Sequence, residues 1–96
     1  MNPFFDRIAS LFRDGAARRG ATIAPPELDG AVAEELLQLT RVVAHGKERS
    51  FAPLASFTAG VAVERLRAAR GALDAGATVE YLREVRETLE RENAGG

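Results

Sequence analysis

Thirteen consecutive residues, Phe51 to Val63 (FAPLASFTAGVAV), carry no charge, and only Ser56 and Thr58 among them are polar. The run has no strand-like alternation, so it reads as a helix that is apolar nearly all round. Such a helix is buried on several sides. Pro53 fits its first turn, where a missing N–H costs nothing. Ala55, Ala59, Gly60 and Ala62 are small enough for neighbouring backbones to approach closely. Leu54, Phe57 and Val61 share one face, whereas Leu66, Ala69 and Leu73 lie a quarter turn round at about 100° per residue. This helix is therefore expected to be the core element, packing on different neighbours along its length or kinking near Gly60. The rest of the chain must supply those neighbours.

Three further segments have helical spacing. Pro3 opens the first, in which Phe4, Ile8, Leu11 and Phe12 recur on one side and Asp6, Arg7, Arg13 and Asp14 on the other. It should end near Gly20, because Pro25 and Pro26 make the following stretch extended. The second carries Leu28, Val32, Leu36, Leu39 and Val43 on one stripe. Glu27, Asp29, Glu34 and Glu35 crowd its N-terminal half, where the helix dipole favours acids. Leu37 points off that stripe, towards a second contact surface. In the fourth, Thr78 is the expected N-cap and Val79, Leu82, Val85 and Leu89 form a narrow stripe. Arg83/Glu87, Arg86/Glu90 and Glu87/Arg91 stand four apart, each pair adding about 0.2–0.5 kcal/mol.

Ninety-six residues, 46% of them apolar, suit one small globular domain. There is no cysteine, which excludes a disulfide framework, a thiolate metal site and a cysteine nucleophile. Thirteen basic and fourteen acidic residues leave a net charge of −1, so no global field draws the chain to nucleic acid or anionic lipid. Asp6 and Arg7 interrupt the apolar residues near the N-terminus, which argues against a signal peptide. No run reaches the length of a membrane span. A cytoplasmic protein is expected.

The corner VVAHGKERSFAPL (residues 42–54) holds the only histidine. His45, Lys47 and Arg49 stand where a helix C-terminus leaves unsatisfied carbonyls, with Gly46 as the expected left-handed residue. Ser50 to Pro53 then lead into a helix N-terminus beside those basic groups, an arrangement that can hold a phosphate or carboxylate. His45, Lys47, Arg49 and Ser50 are thus candidate anion-binding residues. A metal at His45 would want a second ligand at helical spacing, and only Glu48, beyond Gly46, qualifies. Arg65, between the two parts of the third helix's stripe, is either a snorkelling stem or the partner of an acid from the second helix. DNA reading by a helix-turn-helix is disfavoured, because the connection is long and the following helix opens apolar.

The stretch LLQLTRVVAHGKERSFAPLASFTAGVAV (residues 36–63) resembles a family of small bacterial helical proteins of unknown function. Its hallmark is an alanine-histidine-glycine helix end, a charged pair, and Ala-Pro-Leu opening an apolar helix with a glycine. Here these are Ala44, His45, Gly46, Glu48, Arg49, Ala52, Pro53, Leu54 and Gly60. The fourth helix departs from the pattern, since many members are shorter. Members often stand beside, or fused to, the guanylyltransferase that completes the molybdenum cofactor. The resemblance thus implies an accessory role, without a catalytic residue to carry over.

The expectation is an all-α chain, a compact four-helix bundle with a buried, small-residue-rich third helix. One domain would span residues 1–92, with helices about 3–19, 27–45, 53–75 and 78–92 and a disordered tail at 93–96. The expected function is non-catalytic interaction with a protein partner or, as a homodimer, with itself. Leu37, Val63, Tyr81, Leu82, Val85 and Leu89 are the candidate interface residues. Neither a cofactor, a metal, a nucleic acid nor a membrane enters this reading. A small anion- or nucleotide-binding protein using residues 45–53 is the alternative.

Overall fold

A computed structural model describes residues 2–95. Among them the chain is all-α, of the small helical-bundle class, with helices α1 (Pro3–Arg18), α2 (Gly30–Gly46), α3 (Phe51–Arg70) and α4 (Ala75–Gly95). The residues cluster into two compact units, Met1–Gly30 and Ala31–Gly96.

In the first unit, the Asn2 side chain caps α1 by accepting from the Phe4 N–H at 2.8 Å, and Pro3 occupies the first turn. The C-terminus closes at Gly20, whose φ of 78° is open to glycine without a Cβ penalty. The Gly20 N–H bonds to the Ala17 carbonyl and the Ala21 N–H to that of Ala16, a doubly bonded helix stop. Residues 21–29 form neither helix nor strand and are exposed. Pro25, Pro26 and Leu28 face Phe5, Ile8 and Phe12 of α1 across a groove of about 620 Å³.

In the second unit, α3 packs on α4, and Leu39 of α2 and Leu82 of α4 are its buried apolar residues. Glu35 of α2 is also buried, at 4% exposure. Arg86 of α4 donates to it through Nε at 2.5 Å, and Arg83 Nε stands 3.6 Å from its other oxygen. Arg86 also reaches Glu90 at 2.8 Å. The bond to Glu35 pushes the Arg86 guanidinium above its already high ordinary pKa. Two helices far apart in sequence are thus pinned by charge as well as by leucine packing.

Several expectations are corrected. The third helix is not buried: none of its residues is, and Leu54 and Phe57 are 64% and 75% exposed. Its small residues Ala55, Ala59 and Ala62 line the space against α2 and α4. Close approach to α4 needs alanine on the inner face, so the large residues of the uncharged run fall outside. α3 is one continuous helix past Gly60, and it ends at Arg70 rather than residue 75, because Gly71 turns left-handed at φ 85°. Gly46, expected to be left-handed, is not. It is the last residue of α2, and a Cβ there would come within 2.5 Å of the Asn93 side chain. Close approach explains this glycine.

The start of α4 also differs. Asp74 is the cap, its Oδ1 accepting from the Ala77 N–H at 2.8 Å. Thr78, expected there, lies buried one turn in, with its hydroxyl donating to the Asp74 carbonyl. α2 begins at Gly30, so Glu27 and Asp29 precede it. The tail expected to be disordered is helical through Gly95, with Asn93 donating to the Val42 carbonyl at 3.4 Å, while Gly96 lies outside the described residues.

Candidate interaction surface

Projection of α3 at about 100° per residue puts Leu54, Phe57, Val61 and Arg65 on one face and Ala55, Ala59, Ala62 and Leu66 about a third of a turn round from it. The first set is the outer face. Leu54 and Phe57 are the most exposed large apolar residues of this helix, and Phe51 is exposed beside them. Open space flanks Phe57 on both sides. One groove, of about 600 Å³, is shared with Arg65, Leu66 and Tyr81. The other, of about 620 Å³, is floored by Gly60 and Ala68. Nothing lies within 4 Å of a Cβ built on Gly60, so this glycine leaves a notch in the face.

The inner face borders an apolar cleft of about 360 Å³, bounded by Leu39 and Val43 of α2, by the alanines of α3, and by Leu82, Val85 and Leu89 of α4. Tyr81 lines both this cleft and the outer groove. So does Thr58, whose hydroxyl donates to the Leu54 carbonyl at 2.9 Å. Among the described residues no ion pair or hydrogen bond engages Arg65, and the acid of α2 that might have met it is held by Arg86 and Arg83. Its neighbour Glu64 is bound by Arg67, and that hydrogen bond holds the Glu64 carboxyl below its usual range.

The residues expected at an interface are dispersed. Leu37, 64% exposed, is on the side of α2 away from Leu39. Val63 is half-buried on α3. Leu82 is corrected to a core residue, because the apolar stripe of α4 turns onto α2 and α3. Tyr81, Val85 and Leu89 line the cleft with it. The outer face of α3 was missed, since a run whose only polar residues are Ser56 and Thr58 has no charged residue to mark its solvent side.

His45, Lys47, Arg49 and Ser50 all lie exposed on or beside the α2–α3 connection. Two N–H groups at the start of α3 are already taken: Phe51 donates to the Glu48 carbonyl and Ala52 to that of Arg49. Pro53 has none to give. Ser50 donates to the Glu48 carboxylate at 3.4 Å and makes no cap bond. Among the described residues no three His, Cys, Asp or Glu side chains are grouped to hold a metal ion. No helix of the described residues is long and apolar enough to cross a membrane.

Neither a curated protein nor a solved structure matches the chain. A family model does match, over residues 4–95, and so takes in both units and the whole outer face of α3. The chain belongs to the family described as Domain of unknown function (DUF6457).

Proposed function

We propose that this protein is a non-catalytic, cytoplasmic accessory protein that docks a protein partner on the outer face of α3. The supporting observation is the exposure of Leu54 and Phe57, 64% and 75%, one helical turn apart on a helix whose alanines face inward. Leu54, Phe57 and Val61 follow the i, i+3, i+7 spacing by which a helix seats its anchors in a partner's groove. Aromatic side chains are enriched at such contacts, where they bury large area at low entropic cost. Contiguous exposed apolar surface on a soluble chain marks interaction sites.

The resemblance of residues 36–63 to proteins found beside or fused to the molybdenum-cofactor guanylyltransferase makes that enzyme the partner to test first. Light scattering on a sizing column, with the chain alone and mixed with the enzyme, is the experiment. The expected result is a mixed complex that Phe57→Glu abolishes while circular dichroism stays unchanged. A homodimer broken by Phe57→Glu would keep the docking face and make a second copy its partner. Absence of any assembly, or an assembly indifferent to Phe57→Glu and Leu54→Glu, would overturn the proposal.

A further inference from the structure

The inner cleft and the outer groove adjoin: Thr58, Ala62 and Tyr81 line both, which sets the apolar space between α2, α3 and α4 beside the side of α3 that carries Arg65. The two ends differ in chemistry. Leu39, Leu82, Val85 and Leu89 border the inner side together with Ala55 and Ala59; its volume is about 360 Å³, and Val85 there is 44% exposed, so the cleft is open to solvent. That volume is near the lower end of small-molecule sites, which run about 300–1,000 Å³. At the outer end Arg65 has no acid partner among the described residues, and Glu64, the nearest carboxylate in sequence, is occupied by Arg67.

An open apolar cleft and an unpaired guanidinium in the adjoining groove select one ligand class. We infer that this cleft binds a single-chain amphiphilic carboxylate of medium length, a free fatty acid in monomeric form, with its tail between the three helices and its head at Arg65. The apolar lining gives affinity roughly in proportion to buried chain. Arg65 supplies the forked donor that suits a carboxylate, and the phenol of Tyr81 offers a second donor. Thr58 contributes none, since its proton is already committed to the Leu54 carbonyl. The docking face and the head site share Phe57 and Val61, whereas Leu54 borders neither space, so Leu54→Glu separates the two readings.

The chain has one tyrosine and no tryptophan, so its near-ultraviolet emission reports on Tyr81 alone. Decanoate titrated below its micelle concentration should change that emission saturably and raise the thermal midpoint of the full chain. Decanol should bind more weakly, and decyltrimethylammonium should give no saturable change. Arg65→Gln should weaken decanoate about tenfold and leave decanol unaffected. Ala59→Leu should lose both ligands by filling the cleft, whereas Leu54→Glu should lose neither. A wild-type emission that does not saturate with decanoate overturns the inference. So does equal affinity for decanoate and decanol, or unchanged decanoate binding in Arg65→Gln, an exposed position whose substitution leaves the fold intact. Unchanged binding in Ala59→Leu would place the ligand elsewhere and overturn it as well.

Discussion

Glu35 shows what a single side chain can demand of a small unit. Its carboxylate is buried, so folding strips it of water, and the cost is offset by Arg86 at 2.5 Å and in part by Arg83 at 3.6 Å. Removing the partner is worse than removing the pair. Arg86→Met is expected to cost about 3 kcal/mol in urea unfolding, and the double variant Glu35→Leu/Arg86→Met to recover most of it. Because the bond to Glu35 raises a guanidinium pKa that was already high, its contribution is fully present below the unfolded value and is lost only in strong alkali. The exposed Glu64–Arg67 pair has the opposite sign. The Glu64 pKa is lowered, so its small contribution is present above the ordinary carboxylate range and fades as pH falls through the folded value.

Asp74→Ala should destabilise α4 by about 1 kcal/mol, more than Thr78→Ser, because Asp74 carries the cap. This cap was misread at sequence level for a physical reason. Gly76 looks like punctuation, and Thr78 follows it as a good capping type, but the helix tolerates the glycine and begins earlier. The pairing of Glu35 with Arg86 left no local signal at all, since the two stand 51 apart in the chain. The i, i+4 pair Arg86/Glu90 was legible because both members sit on one helix face.

At the scale of elements, α1 and α4 show how far periodicity carries. Pro3, the apolar spacing and Gly20 define α1, although Phe4, Leu11 and Phe12 of its stripe stay exposed, and in the stripe of α4 Leu82 is buried while Val85 is 44% exposed. α3 defeats the same reasoning. When no residue in a run is charged, the moment that separates inside from outside is weak. Size then decides the orientation, with alanines placed where helices approach. Phe57→Gln is accordingly expected to change stability by no more than about 0.5 kcal/mol in chemical unfolding, as at a surface position. Ala59→Leu, at an inner position of comparable hydrophobicity, should alter stability more through overpacking or cleft filling. At the α2–α3 corner, with the Phe51 and Ala52 N–H groups engaged, phosphate is expected to leave the thermal midpoint unchanged.

At the scale of the whole chain, the described buried apolar residues are few: Ala9 in the first unit, Leu39 and Leu82 in the second. A chain of this size has little stability to spare. Leu39→Ala is therefore expected to cost about 2–5 kcal/mol and to unfold the second unit, a loss that far-ultraviolet circular dichroism would register directly. The inverted α3 also divides how sequence change is tolerated. Enlarging Ala55, Ala59 or Ala62 penalises every copy of the protein at the moment of folding. Altering Leu54 or Phe57 penalises only a cell that uses the surface they form. Across descendants of one ancestor, the inner positions would drift slowly everywhere, and the outer ones would change in step with whatever they touch.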